Sequence, residues 1–293
     1  MTPRLEYNPD SQRRGGAPGA AMSDTTFRRL SSLIYDRCGV KLNEKKKSLL
    51  EGRLRKRMVC LGLRSFDEYA SFLLADHGGS GEMAHMLDAV TTHKTDFFRE
   101  PQHFEYLTGV ALPTMHSEGF LRGRCHIWSA ASSTGEEPYS LAMVAHDYGL
   151  GRTGFLFDVL ATDISTQVLE HAEAGIYTES RVLPVPAALR ERYVLRSKDR
   201  AQKLVRMAPE LRACVEFRNL NLMDPIGLRN FYHVIFCRNV IIYFERKDQI
   251  NLVRQFHDAL VPGGYLFMGH SESLNGFGVP LQQESATIYR KPS

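Results

Sequence analysis

Hydrophobic positions along the chain follow two different periods. From residue 23 to about residue 90 they recur every three or four residues, the spacing of helices with one buried face. Phe27, Leu30, Leu33 and Ile34 define a first helix that stops at Gly39. Asn43 can cap a second, which carries Leu49, Leu50, Leu54, Met58 and Leu61 on one face and ends at Gly62. Ser65-Phe-Asp-Glu68 has the form of a capping box and opens a third helix reaching residues 72–74. A fourth starts at Ser80 or Gly81 and carries Met83, Met86, Leu87 and Val90. The pattern predicts a small helical bundle over residues 23–90.

Beyond residue 101 short apolar runs alternate with helical patterns, as in an open, mostly parallel sheet. A helix over 102–115 precedes a strand at 126–130. A second strand at 155–161 is followed by a helix over 164–174, and a third strand at 233–236 by a helix over 246–260. Pro262-Gly-Gly264 turns into a strand at 265–269, and a last strand falls at 286–290. Residues 176–215 are less regular and hold a basic loop with Arg196, Lys198, Arg200 and Lys203. Within and just beyond this region, the alternating pieces 204–207 and 214–218 are expected to pair antiparallel as an inserted hairpin beside the crevice.

The stretch 127–142 organises this second region. Ile127-Trp-Ser-Ala130 is a strand, Ser132-Ser-Thr-Gly135 a turn of small residues, and a helix begins near Glu137–Pro138. Proline suits a first helical position, where its missing N–H would go unpaired anyway. A strand, such a turn and a helix N-terminus make a cradle for a nucleotide-like ligand, although only one glycine of the dinucleotide pattern is present. Asp163 closes the second strand, where a ribose hydroxyl is gripped in such folds. The third strand ends in Cys237-Arg238-Asn239 and runs on into Val-Ile-Ile-Tyr-Phe. Ligands of open sheets sit outside the carboxyl ends of the strands, so these three ends should share one crevice. Residues 91–101, which join bundle to sheet, hold Thr95, Phe97, Phe98 and Arg99; the two phenylalanines are expected to pack and fix Thr95 and Arg99 in place.

Composition narrows the class further. At 293 residues the chain has room for two domains, and 43% hydrophobic with 24% charged residues is ordinary for a soluble protein. A net charge of +4 does not by itself point to nucleic acid. Five cysteines (Cys38, Cys60, Cys125, Cys214, Cys237) are scattered, which disfavours a disulfide framework and a zinc site; no metal is expected. No apolar run approaches the roughly 20 residues of a membrane span, and no signal-peptide core stands at the start, so a cytoplasmic protein without membrane insertion is expected. Residues 1–22 are polar and glycine-rich and read as a disordered tail. The second helix region is rich in cations: Lys41, Lys45, Lys46, Lys47, Arg53, Arg55, Lys56 and Arg57 stand against Glu44 and Glu51. Such a surface can steer an acidic macromolecule, with Lys46, Arg53 and Arg57 as candidate substrate-binding residues, or be simply solvated.

Four motifs now combine: Thr-Asp-Phe-Phe-Arg at 95–99, Ser-Thr-Gly-Glu-Glu-Pro-Tyr-Ser at 133–140, Ala-Thr-Asp at 161–163 and Phe-Cys-Arg-Asn-Val-Ile-Ile-Tyr-Phe at 236–244. In order and spacing they resemble the CheR-type chemoreceptor glutamate methyltransferases, over residues 23–291. The resemblance implies an α/β fold: a class I, Rossmann-like S-adenosylmethionine methyltransferase sheet, an N-terminal all-α domain (23–90), a linker contributing to the site (91–101) and a methyltransferase domain (102–293). A small antiparallel β-subdomain near 176–218 would be inserted in the last. It implies S-adenosylmethionine as cofactor, S-adenosylhomocysteine as product, and the glutamate-bearing cytoplasmic helices of membrane receptors as partners, to which the enzyme is recruited. By motif, Thr95, Arg99, Glu136 or Glu137, Asp163, Asn221, Leu222, Cys237 and Arg238 match cofactor-contacting positions. His93 stands where the family usually has asparagine; imidazole can still make one hydrogen bond. Arg99 and Tyr243 match the residues beside the methyl group and the substrate carboxylate.

The chemistry needs no acid–base pair. A glutamate carboxylate, titrating near ~4.3, is already an anion at neutral pH. Arg99 would orient it and Tyr243 would hydrogen-bond or pack beside the methyl group, in a crevice that supplies proximity and dryness. Three rivals remain. A nucleic-acid methyltransferase would carry an Asn- or Asp-Pro-Pro-aromatic motif where Arg238-Asn-Val-Ile-Ile-Tyr243 stands. A nicotinamide oxidoreductase fits poorly with a single glycine, and a silent cofactor-sensing module fits poorly with intact Arg99 and Tyr243.

Overall fold

The computed structural model describes residues 21–75, 79–121 and 123–293. All but two residues of the expected disordered tail lie outside the described residues. The chain divides into two compact units, residues up to Arg37 with Lys41–Val90, and Cys38–Val40 with Thr91–Ser293.

Among the described residues the first unit holds four α-helices, α1 (Asp24–Cys38), α2 (Lys47–Cys60), α3 (Phe66–Leu73) and α4 (Gly79–Val90). The capping box forms: Ser65 Oγ accepts from the Glu68 amide at 3.1 Å, and the Glu68 carboxylate reaches back to the Arg64 amide at 2.8 Å. Asn43 precedes a 3-10 turn (Glu44–Lys46) and makes no side-chain cap; α2 starts at Lys47. Leu50, Leu54 and Met58, at four-residue spacing, are buried, whereas Leu49 lies a helical step away and is 49% exposed. Glu82 of α4 is buried and receives Arg57 Nε at 2.9 Å and the Tyr69 hydroxyl at 2.8 Å. Burial would raise its pKa, but these two partners outweigh that and hold it low. Arg53 donates to the carbonyl of Val90 at the end of α4. Two of the three cations expected to bind substrate thus have bonds inside the bundle.

The second unit opens with α5 (Gln102–Tyr106), a π turn (Leu107–Ala111) and α6 (Leu112–Ser117), one helical run where a regular helix was expected. Then follow β1 (Arg124–Ala130), α7 (Glu136–Leu150), β2 (Leu156–Asp163), α8 (Thr166–Ala174), β3 (Ile176–Thr178), α9 (Ala187–Tyr193), β4 (Val194–Arg196), β5 (Leu204–Met207), α10 (Pro209–Ala213) and β6 (Val215–Asn219). The chain closes with β7 (Tyr232–Cys237), α11 (Arg246–Ala259), β8 (Leu260–Met268), β9 (Gln282–Ser285) and β10 (Ile288–Arg290). The main sheet has seven strands in the order β6-β2-β1-β7-β8-β10-β9, parallel except around β10. This is the class I S-adenosylmethionine methyltransferase architecture. Its register brings Ala130 opposite Thr162 and Cys237, Asp163 opposite Asn219, and Cys237 opposite Met268. The carboxyl ends of five strands therefore form one rim.

Side chains alternate across this sheet. Ile127, Val159, Val234, Phe236 and Phe267 face one core with Phe97, Phe98 and Tyr139; Trp128, Ile235, Leu266 and Phe256 face the other. The expected pairing of 204–207 with 214–218 does not occur. β5 pairs antiparallel with β3 and β4 in a separate three-stranded sheet, while β6 adds in parallel to β2. The helix at Pro209 intervenes and reverses the chain between the two pieces, so they reach different sheets. Strand β9 was not expected: Gln-Gln-Glu-Ser is exposed at every position and has no apolar alternation. Among the described residues no helix is long and apolar enough to cross a membrane.

Candidate active site

The site grows from the turn after β1. Ala131, Ser133 and Gly135 have φ of 62°, 51° and 96°, a run of left-handed residues that costs about 1–3 kcal/mol for each non-glycine and is held by its bonds. The Ser132 amide donates to Thr162 O at 2.8 Å, the Ser133 amide to Asp163 Oδ2 at 2.9 Å, and the Gly135 amide to Ser132 O at 3.2 Å. A Cβ on Gly135 would fall 2.8 Å from both the Ala172 Cβ and the Tyr177 hydroxyl. The glycine is required for packing against α8 and β3. Helix α7 begins at Glu136, one residue earlier than expected, so Pro138 is its third residue. Its missing N–H still falls among the first four, which have no helical partner.

Three amides of this turn, those of Ser132, Ser133 and Gly135, are therefore spent inside the protein. A pyrophosphate would need them free, whereas the groups that flank the turn are carboxylates. Asp163, at the end of β2, is 7% exposed and also accepts from the Ser165 amide at 3.0 Å. Burial raises its pKa, opposed by the Ser165 and Ser133 amides and by His93. His93 reaches it because the Ser133 hydroxyl donates to the His93 carbonyl at 3.0 Å, tying the linker to the turn. Leu220 N and Asn219 Nδ2 donate to Asp163 O, which places the loop with Asn221 and Leu222 beside it. Asn221 Oδ1 bends that loop by accepting from the Met223 amide at 3.1 Å, and Leu222 is buried.

The two adjacent glutamates diverge. Glu136, 1% exposed, accepts from Thr134 Oγ1 at 2.6 Å and pairs with Arg181 at 2.7 Å. Arg181 also bridges to Asp96 at 2.8 Å and donates to the Thr95 carbonyl, so it joins α7 to the linker. Glu137 turns toward the sheet. It accepts from Ser129 Oγ at 2.7 Å and lies 3.3 Å from an Arg238 nitrogen. Burial raises its pKa, Arg238 and the Ser129 bond lower it, and Arg99 lies close enough to lower it too.

Arg238 follows β7 with a side chain only 2% exposed. Its guanidinium contacts Glu137, pairs with Glu100 at 3.1 Å and donates to the Arg99 carbonyl. It therefore holds the linker where Phe98 and Glu100 take left-handed φ of 52° and 58°. Phe97 and Phe98 are buried as expected, Phe97 edge-on to Tyr177 at 5.0 Å and the Phe98 amide donating to Ser140 Oγ at 3.0 Å. Thr95 is buried beside them, and Arg99 itself is half-buried, donating to the Lys94 carbonyl at 3.0 Å. Cys237 is fully buried, and burial with Glu272 and Glu137 nearby pushes its thiol well above the ordinary range, which removes it as a nucleophile. Tyr243 lies half-buried in a 3-10 turn (Ile241–Tyr243), not in a strand end.

The strand ends thus bring together His93, Thr95, Arg99, Glu137, Asp163, Asn221, Leu222, Cys237 and Arg238; Glu136 is committed to Arg181. Glu100, Arg181 and Glu272 had drawn no attention as residues. Glu100 and Glu272 are signalled only by adjacency to Arg99 and to the Gly269 strand end, and Arg181 by nothing local. A crevice with carboxylates on its walls suits a cationic sulfonium nucleoside better than a dinucleotide. The fold and this site define a methyltransferase that uses S-adenosylmethionine. Two family descriptions match the chain: "CheR methyltransferase, all-alpha domain" over residues 25–91 and "CheR methyltransferase, SAM binding domain" over 93–290. The chemotaxis protein methyltransferase of Klebsiella aerogenes is 40% identical over 92% of this chain and 90% of its own. That of Salmonella typhimurium is 38% identical over 92% and 91%, and that of Borreliella burgdorferi 38% over 85% and 88%. The chain belongs to the CheR methyltransferase family.

Proposed function

We propose that this protein methylates glutamate side chains on the cytoplasmic helices of chemoreceptors, giving methyl esters, as part of chemotactic adaptation. The observation that carries the reading is the clamp of Arg238 on the Arg99 carbonyl, which fixes a cationic linker residue close to Glu137 at the strand ends. S-adenosylmethionine, held by residues from His93, Thr95, Arg99, Glu137, Asp163, Asn221, Leu222, Cys237 and Arg238, would supply an electrophilic methyl group. The chain's own task is to present the nucleophile. Arg99 orients the incoming carboxylate, which is ionised without a general base because a free glutamate titrates near ~4.3. Tyr243 stands beside the reacting groups as a hydrogen-bond donor, and buried Phe97 and Phe98 keep the floor of the linker dry.

Receptor helices that carry methylatable glutamates are acidic, and the basic α2 region suits them. Lys46, Arg53 and Arg57 are our candidates for that contact, with the enzyme working in the cytoplasm at membrane receptors. The test is transfer of a radiolabelled methyl group to a receptor cytoplasmic fragment, followed by base treatment. Label released as methanol, and turnover reduced at least about 100-fold in Arg99→Ala and Tyr243→Phe, is the expected result. Base-stable label would point to nitrogen methylation, and wild-type turnover in both variants would remove the assigned roles.

A further inference from the structure

The segment Asn239–Phe244, which carries Tyr243, belongs to no strand and to no α-helix, yet most of its residues are buried or half-buried. Two of its amides bond within the segment, Tyr243 to the Val240 carbonyl at 3.1 Å and Phe244 to the Ile241 carbonyl at 3.0 Å, and other groups need partners from elsewhere. Two side chains supply them. Gln249 of α11 donates through Nε2 to the carbonyls of Ile241 at 2.8 Å and Phe244 at 3.1 Å. From the opposite side Glu272, 3% exposed, accepts through Oε2 from the amides of Asn239 and Gly269, each at 2.7 Å. The amides of Ile241 and Ile242 add to the field that opposes its burial. Its other oxygen, Oε1, is buried with no partner in good hydrogen-bond geometry, and among the described residues Glu272 makes no ion pair.

A carboxylate buried without a cation is expensive, and a turn of this length could be closed by neutral groups at lower cost. The carboxylate sits where the chain just after β8 passes close to β7's continuation. Asn239 takes a left-handed φ of 60°, and a Cβ on Gly269 would lie 2.5 Å from the Asn239 Nδ2. We infer that Glu272 is a positioning residue for methyl transfer: it ties the Asn239 amide, at the head of the segment, to the Gly269 amide after β8 and thereby sets where Tyr243 stands. The inference rests on the proposed role of Tyr243.

The experiment is a double-mutant cycle on the full chain with Glu272→Gln and Tyr243→Phe. It reads single-turnover methyl transfer to a receptor fragment and calorimetric binding of S-adenosylmethionine. Glutamine keeps the shape and one acceptor oxygen but removes the charge, and its NH2 group takes the place of one carboxylate oxygen beside the amides of Ile241 and Ile242. Glu272→Gln should lower turnover by about 100-fold, the effect of displacing a reacting group by an ångström. Cofactor affinity should stay within about threefold, and Glu272→Asp should recover part of the turnover. In the Tyr243→Phe background the further loss should shrink to a few-fold, because the two residues act as a unit. A full additional loss in that background, or unchanged turnover in Glu272→Gln, overturns the inference. So does a parallel collapse of cofactor binding and folding in both Glu272 variants, which would make the residue structural. Unchanged turnover in Tyr243→Phe alone is the separate result that removes the proposed role of Tyr243 and this inference with it.

Discussion

The guanidinium of Arg238 donates to the main-chain oxygen of Arg99. A residue at the end of a central strand therefore fixes a linker residue 139 positions earlier, through a side chain that is 2% exposed. The same group neutralises Glu100 and Glu137, so one cation serves two buried anions and a carbonyl.

Removing that cation should be costly in two distinguishable ways. Arg238→Met takes the arginine cation away from Glu100 and Glu137, leaving them only their neutral hydrogen bonds, and should destabilise the fold by about 3–5 kcal/mol. Arg238→Lys keeps the charge but loses the planar fork that reaches three acceptors. It should lose less stability and still lose turnover, because the Arg99 carbonyl is released. Urea unfolding beside methyl-transfer rates checks both; stability within 1 kcal/mol of wild type for Arg238→Met would show that the cluster is not held by this charge.

The adjacent glutamates should separate by function. Glu137→Gln preserves the bond to Ser129 in shape and removes the charge facing the strand ends. It should weaken S-adenosylmethionine binding tenfold or more, about 1.4 kcal/mol, with little change in melting temperature. Glu136→Gln breaks the pair with Arg181 and should cost about 1–3 kcal/mol of stability with affinity retained. Calorimetry and thermal unfolding on the two variants decide it, and the opposite pattern would reassign the cofactor contact to Glu136.

What could be read from the chain was what is local in it. The strand, turn and helix of 127–142, Asp163 at a strand end and the capping box at Ser65 all follow from neighbours a few residues apart. The motifs then collected the linker and strand-end residues into one set. Arg181 stayed invisible because its partners lie 45 and 85 positions away. Glu272 stayed invisible because it binds main-chain amides, which leave no trace in residue identity. Strand β9 lacks apolar alternation, and the pieces at 204–207 and 215–219 look alike but join different sheets. Leu49 and Leu50 are expected on one face, but consecutive residues of a helix point about 100° apart, and α2 buries Leu50 and leaves Leu49 exposed.

Gly135 gives a test of packing rather than of binding. Alanine there would meet Ala172 and Tyr177 at 2.8 Å and sit at φ 96°. Strain and overpacking together predict a loss of about 3 kcal/mol. The variant that remains folded should bind S-adenosylmethionine nearly as well as wild type. A large loss of affinity with little loss of stability would instead mean that the glycine faces the ligand.

His103 links stability to pH. It is buried under Glu100, His270 and Arg238, its Nε2 shares a hydrogen bond with Thr287 Oγ1 at 3.1 Å, and its Nδ1 is buried without a good partner. Burial, reinforced by Arg238, lowers its pKa to about 4, although Glu100 pulls the other way. Arg238 and the His270 amide outweigh burial at Glu100 and hold its carboxyl below the ordinary value. In the unfolded chain the imidazole takes up its proton near ~6.5, whereas in the folded protein it stays neutral until about pH 4. The unfolded state therefore binds more protons within that window. Stability is fully present above about pH 6.5 and is lost as pH falls toward the folded pKa, by about 3 kcal/mol in all and about 2 kcal/mol between pH 6.5 and 5. Urea unfolding at those two pH values, in wild type and His103→Gln, isolates this contribution, because other acid-sensitive groups are common to both proteins. Wild type should fall more steeply by about 2 kcal/mol. Equal slopes would show that the imidazole is solvated, or already charged, in the folded protein.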